Sequence, residues 1–346
     1  MKNKEGRTSL VLWTTGRCNL RCKYCYAYGE QLQRDMDFAV AQKAMDALKD
    51  RSLKIQFTGG EPLLNFKLIR QVYAYAKNQG YDCVFQLQTN GTLIDADIAA
   101  EISELGISTG VSLDGPVDVN EALRGGTKRA LQGIQELGKK GVMVNLNSTV
   151  TAQNVERLPE LMDFAVYLGN VAGIGLDLLR FSGRGGEKES PVEKSGEAQL
   201  VKTIYALYEK SRYFYEATGI KIGVRPIEEA KKRLRWKLNN QYYCYASCGK
   251  SYVVLPNGDV FPCGTLKDHK EFYMGNIHAG QIKSRSLPSL PKSDSCAACP
   301  YHNYCPGACP ARVITNWYDT SSNHLDCTMR KTAFAIAAEE IKNGIF

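Results

Sequence analysis

Six short runs rich in β-branched and aromatic residues, at 9–13, 54–58, 84–88, 108–113, 143–149 and 173–179, constrain this chain most. Helical periodicity occupies the five intervals between them, at 38–49, 63–78, 95–105, 128–139 and 154–167, and Gly80, Gly106 and Gly141 close three of those segments. Strand and helix alternating in this way require parallel strands joined by right-handed crossovers, because a parallel neighbour cannot be reached through a tight turn. The expected fold class is therefore α/β. Six units fit a partial (β/α)6 barrel resembling a TIM barrel better than a closed barrel of eight, with an open doubly wound sheet as the alternative.

The alternation then stops. Residues 182–196 are rich in Gly, Ser, Glu and Lys and read as a mobile loop. A helix is expected at 197–217, a short strand at 221–224 and a basic helix around Lys231, Lys232, Arg233, Arg235 and Lys237. From Cys244 to Cys327 the chain is loop-rich and holds eight of its twelve cysteines, an arrangement that takes its order from metal rather than from a core. Helical pattern returns at 328–341.

A chain of 346 residues with 44% hydrophobic and 23% charged residues can bury a core without disulfide staples. Its cysteines thus point to metal or redox chemistry. No apolar run reaches the ~18–20 residues needed to span a bilayer, and the apolar stretch after the basic N-terminus is too short for a signal peptide. A cytoplasmic chain with no membrane partner is expected. The net charge of +8 comes without an aromatic platform motif, so the basic helix reads as a solvated face and no nucleic-acid partner is expected.

Directly after the first strand stand Cys18, Cys22 and Cys25, a C-x3-C-x2-C spacing with Tyr24 before the third cysteine. Three thiolates on one loop can hold three irons of a cubane and leave the fourth iron open, at the strand end where barrels place their active sites. A zinc site is the structural alternative, although neither paired C-x2-C ligands nor histidines lie near. Further motifs follow at later strand ends: Gly59-Gly60-Glu61-Pro62, then Gln88-Thr89-Asn90-Gly91-Thr92, then Ser112-Leu113-Asp114-Gly115 with Arg124 beyond.

Together these motifs resemble the radical S-adenosylmethionine (SAM) superfamily. In that family the open iron binds the amino and carboxylate groups of SAM, and one electron cleaves it to methionine and a 5′-deoxyadenosyl radical that abstracts hydrogen from substrate. The resemblance implies cofactor contacts at Tyr24, Gly59, Gly60, Glu61, Asn90, Ser112 and Arg124. The glycines would let backbone approach the SAM amino group, and the serine and arginine would meet its carboxylate.

The C-terminal spacing, Cys248-x14-Cys263 and then Cys296-x2-Cys299-x5-Cys305-x3-Cys309-x17-Cys327, is similar to the SPASM domain of radical SAM enzymes that act mainly on peptides and proteins. Cys244 can supply an eighth ligand. The resemblance implies three [4Fe–4S] clusters in all. By analogy with anaerobic sulfatase-maturing enzymes, Cys244, Cys248, Cys263 and Cys309 would hold the auxiliary cluster nearer the active site and Cys296, Cys299, Cys305 and Cys327 the outer one. A zinc ribbon is the alternative. Cys83 remains as a small buried hydrophobe. The implied domains are a radical SAM barrel over 1–181, a bridge over 182–240 and a SPASM domain over 241–346.

The activity implied is radical modification of a ribosomally made peptide or protein side chain, a crosslink or another oxidative change, with a low-potential donor of the flavodoxin or ferredoxin type as electron source. Formylglycine formation of the sulfatase-maturing kind is the alternative. Those enzymes place a base directly after the cysteine corresponding to Cys263, where this chain has Gly264, so Asp177 or Tyr245 would have to serve. No catalytic acid or base is identifiable otherwise. With seventeen residues before Cys18, no leader-binding domain is expected, and a separate leader-binding protein or the barrel itself would present the peptide. Tyrosines at 205, 208, 213, 215, 242, 243 and 245 would line a groove or simply pack. A non-catalytic electron carrier or zinc-binding module is the reading from another class.

Overall fold

The computed structural model describes residues 6–29, 33–187, 190–239, 242–280, 282–288, 294–316 and 324–344. All six expected strands form: β1 (Thr8–Thr15), β2 (Leu53–Gly59), β3 (Cys83–Thr89), β4 (Ser108–Ser112), β5 (Val144–Val150) and β6 (Val171–Leu178). They pair in parallel and in sequence order. Sequential order is that of a singly wound barrel, since a doubly wound sheet would reverse direction from its first strand.

Between the strands run α1 (Phe38–Asp46), α2 (Phe66–Asn78), α3 (Ala96–Glu104), α4 (Val117–Leu123), α5 (Thr127–Lys139) and α6 (Glu160–Leu168). The short α4 has no counterpart in the periodicity, because seven residues make too few turns to show a stripe. Past α6 come α7 (Glu197–Thr218), β7 (Gly223–Val224), α8 (Arg225–Arg235), β8 (Ser251–Val254), β9 (Asp259–Phe261) and β10 (Gly275–Asn276). The chain ends with α9 (Asp294–Ala297), α10 (Pro310–Thr315) and α11 (His324–Lys342).

Strands from the C-terminal half extend the same sheet. β7 adds in parallel to β6 and β8 in parallel to β1, with β9 and β10 continuing antiparallel. The sheet order β10-β9-β8-β1-β2-β3-β4-β5-β6-β7 is open at both ends among the described residues. The cysteine-rich half is therefore anchored to the barrel through backbone pairing at β1.

Burial follows the strand period of two. In β2, Leu53, Ile55 and Phe57 are fully buried in the main core, whereas Gln56 and Thr58 face a cleft inside the barrel. Gln88 of β3 and Asn147 of β5 face the same way. Closed barrels fill this space with branched aliphatic side chains. Here polar side chains and glycines leave it open: a Cβ on Gly110 would lie 2.6 Å from Asn147 Nδ2, and one on Gly175 would lie 2.7 Å from the Arg225 guanidinium carbon. Among the described residues no helix is long and apolar enough to cross a membrane.

Candidate functional site

The loop after β1 carries Cys18, Cys22 and Cys25 into one cleft of ≈ 280 Å³. The two glycines at the end of β2 make the loop's path possible. Gly59 has a φ of +135°, and a Cβ there would come within 2.2 Å of Thr15 O; a Cβ on Gly60 would come within 2.1 Å of Arg17 O. Backbone bonds from Gly60 N to Thr15 O (2.8 Å) and from Glu61 N to Arg17 O (2.9 Å) close the contact. The space left by the missing side chains is thus taken by the cysteine loop's own backbone.

Residues 182–187 hold the other side of that loop. Arg184 donates from its backbone N to Cys25 O and from Nη1 to Cys22 O, both at 3.1 Å, and a Cβ on Gly183 would stand 2.4 Å from Cys25 O. Glycine-rich composition suggested mobility, yet here it serves close packing. This half of the expected loop is a clamp on the cysteines.

Glu61 is fully buried and faces away from solvent. Its carboxylate accepts from Thr89 Oγ1 (2.6 Å), Asn90 N (2.8 Å) and Leu63 N (3.2 Å), which ties the end of β2 to the end of β3. Asn90 in turn donates to Asn19 Oδ1 at 2.9 Å and stands 3.9 Å from Cys18 Sγ. Burial pushes the Glu61 pKa up to about 6 although all three hydrogen bonds act against it.

A raised carboxyl pKa stabilises the fold below the ordinary value of 4.5, and that contribution is lost as pH rises through about 6. In Glu61→Gln this slope should vanish from urea midpoints measured between pH 4.5 and 6.5, while the amide leaves one backbone donor unmatched at a cost of about 1–3 kcal/mol. An unchanged slope would show that Glu61 is not the group responsible.

The third strand-end group is Tyr24, Asp114 and Arg124. Tyr24 Oη donates to the buried Asp114 carboxylate and accepts from Arg124 Nη1 at 2.5 Å, while Arg124 and Asp114 lie 3.6 Å apart. Asp114 also accepts from Thr149 N at 2.8 Å. Burial raises the Asp114 pKa against the pull of Arg124. For Arg124, burial acts downward but the negative charges of a Cys22 thiolate and of Asp114 outweigh it, so the net shift is up. Arg124 therefore stays charged at the cleft wall. Asp114 was not singled out by sequence reasoning; its place within Ser-Leu-Asp-Gly was the available signal.

Ser112 Oγ accepts from Gln88 Nε2 (3.1 Å), Gln88 Oε1 from Asn147 Nδ2 (2.8 Å), and Asn147 Oδ1 from Arg225 Nη1 (3.2 Å). Every residue expected at the cofactor lines this cleft except Glu61, which supports it from behind. Asp177, partly exposed, also lines the cleft, but Arg180 and Arg312 hold its carboxylate down to about 2 against the upward effect of its partial burial, which makes it a poor proton acceptor. Tyr245 does not line it and instead lies under the Lys54 ammonium, 5.4 Å from its ring centre. The tyrosines of α7 do not line it either.

Cys296, Cys299, Cys305 and Cys327 border one small apolar cavity together with Tyr301 and Phe334. His302 borders it too, its ring nitrogen Nδ1 2.7 Å from Cys296 O. Cys263 and Cys309 belong to a separate core with Trp13 and Tyr26. Burial pushes Cys263 up to about 11, with Cys309 adding to the shift. Cys244 and Cys248 flank a turn, with Cys244 Sγ 3.5 Å from Ser247 Oγ and Cys248 Sγ 3.4 Å from Tyr245 O. All twelve cysteines are free thiols, and Cys83 packs at the edge of the main core. Among the described residues no three His, Cys, Asp or Glu side chains converge to chelate one ion. A cubane is held differently, by thiolates that each bind a separate iron.

The model of the Radical SAM superfamily matches residues 14–165, the span from the end of β1 into α6. An uncharacterized protein of Methanocaldococcus jannaschii is 33% identical over 303 residues, covering 84% of this chain and 94% of its own. An AdoMet-dependent heme synthase of Oleidesulfovibrio alaskensis is 26% identical over 338 residues, covering 88% and 83%. In fold, the chain is similar to anSMEcpe solved with AdoMet and the Cp18Cys peptide, with a TM-score of 0.80 at 19% identity over 98% of this chain and 99% of that one. The family match spans the same strands and loops that bring Cys18, Cys22, Cys25 and Arg124 to one cleft, and on it the chain belongs to the radical SAM superfamily.

Proposed function

We propose that this cleft binds a [4Fe–4S] cluster and SAM and uses them to begin radical modification of a peptide or protein side chain. The observation that carries the reading is the convergence of three thiols from one loop with the Arg124 guanidinium on one open space. The fit is chemical as well as spatial, since the thiols would serve three irons and Arg124 suits a carboxylate. When bound, the cluster and SAM supply a carbon radical able to remove a hydrogen atom from substrate.

The chain's own residues do the positioning. Gly59, Gly60 and Arg184 hold the cysteine loop, Glu61 and Asn90 fix its contact with β3, and Asp114 with Tyr24 orients Arg124. Two auxiliary [4Fe–4S] clusters are proposed on the C-terminal cysteines. The shared cavity of Cys296, Cys299, Cys305 and Cys327 supports that set, and the common core of Cys263 and Cys309 supports the other, with Cys244 and Cys248. Clusters held there would supply an acceptor for the second electron of an oxidative change.

The fold likeness to a peptide-bound enzyme favours a peptide substrate. Formylglycine chemistry is less well supported, because a Cβ at Gly264 would lie 2.8 Å from the Trp13 ring, so Trp13 fills the place a base would need. A second reading, modification of a cofactor precursor, is favoured by the relative named for heme synthesis.

Anaerobic reconstitution followed by dithionite and SAM should yield 5′-deoxyadenosine, detected by mass spectrometry. Its absence would remove the radical reading. Iron near about twelve per chain supports three cubanes, and about four would assign the C-terminal cysteines to something else.

A further inference from the structure

Beside the cleft lies a second cavity of ≈ 270 Å³, between the end of β6, α8 and α11. Asp177 and Arg225 line both spaces, so the cavity adjoins the cleft at those two side chains. Three guanidinium groups border it, those of Arg180, Arg225 and Arg330, against the carboxylates of Asp177 and Glu229.

Both carboxylates are already engaged. Asp177 accepts from Arg180 and, at 2.8 Å, from Arg312, and Glu229 accepts from Arg233 at 3.2 Å. The arginines are less well matched. Nε of Arg180 and Nε of Arg330 are buried without an acceptor among the described residues. Arg330 lies 4.7 Å over the Tyr243 ring, and Arg225 donates to the neutral Asn147 at 3.2 Å. A planar guanidinium fork whose neighbours are a neutral amide, as at Arg225, or an aromatic ring, as at Arg330, is matched better by a carboxylate. The depressed Asp177 pKa reports the same cationic surroundings.

We propose that this side cavity is a substrate subsite that binds a carboxylate through Arg225 and Arg330, with Arg180 and Tyr243 as its wall. It holds an anionic arm of the substrate while the remainder extends into the cleft. The assignment rests on the radical reading of the cleft and narrows it to substrates that carry a carboxylate. An acidic peptide side chain and a carboxylated cofactor precursor share that chemistry.

The test is calorimetric titration of the reconstituted holoprotein with two probes, an acetylated triglutamate peptide and a porphyrin bearing four propionates, each beside its methyl ester. At least one acid should bind about tenfold or more tighter than its ester, as expected for a charge-assisted contact. Arg225→Gln and Arg330→Gln should each weaken that acid by a similar factor, whereas Lys67→Gln, which removes an exposed charge on α2, should not. Preference for the peptide acid identifies a peptide source and preference for the porphyrin acid a cofactor source. Equal binding of acid and ester by the unaltered protein, or no binding of either acid, overturns the subsite. Because that comparison needs neither variant folding nor SAM turnover, failure of the subsite is distinct from failure to form 5′-deoxyadenosine.

Discussion

Replacing Cys18, Cys22 and Cys25 together by alanine is expected to abolish 5′-deoxyadenosine formation. These three thiols border the same cleft as Gly59, Gly60, Asn90, Ser112 and Arg124, and none of the eight C-terminal cysteines does. Removing them takes away every cysteine that lines the cleft. The expected loss is complete to the detection limit, because no other group in the cleft replaces a thiolate as an iron ligand. Replacing Cys296 and Cys299 should instead leave measurable SAM cleavage while impairing substrate modification or the order of the C-terminal loops, since their cavity is a separate one. Measured on the reconstituted proteins by mass spectrometry, full SAM cleavage by the triple variant would move the radical site elsewhere.

The second large effect concerns Arg312, which is 1% exposed. It donates to Asp326 at 3.0 and 2.5 Å, to Asp177 at 2.8 Å and to Tyr243 Oη at 3.2 Å. Burial alone would lower its pKa, but Asp326 and its other neighbours raise it well above the ordinary value, so it remains charged. The group fastens α10 and α11 to the end of β6. Arg312→Met would leave Asp326 buried and unpaired at a cost of about 3–5 kcal/mol. Urea unfolding should show that loss, and the double variant with Asp326→Leu should recover much of it, because the penalty lies in the stranded charge. A loss below about 1 kcal/mol would mean that the junction does not depend on this ion cluster.

The same cluster shows what spacing does not reveal about Asp177, which lines the cleft but is held by two arginines. A carboxylate at a strand end beside a cysteine loop is a reasonable candidate base, and spacing alone gives no reason to pair it with a residue 135 positions later. The six barrel strands were legible because their apolar residues repeat with the period of the backbone, a signal contained in a few consecutive residues. The three-cysteine loop was legible because its thiols stand at short spacings, whereas the division of the eight C-terminal cysteines into two sets came only from the resemblance to SPASM enzymes. Glu61 was recognised as a site residue but not in its role, since nothing local says that its carboxylate faces Thr89 and Asn90 rather than the cleft.

By itself the sequence determined the strand and helix alternation, the three-cysteine loop at the first strand end and the arrival of four motifs on one rim. Tertiary structure decided what each polar group touches: the Tyr24–Asp114–Arg124 group, the clamp of Arg184 on Cys22 and Cys25, the shared cavity of Cys296, Cys299, Cys305 and Cys327, and the arginine-lined cavity beside the cleft. The physical reason is range. Periodic burial is set by the local backbone, whereas a hydrogen bond such as that from Tyr24 to Asp114, 90 residues apart, exists only once the strands between them have paired side by side in the sheet.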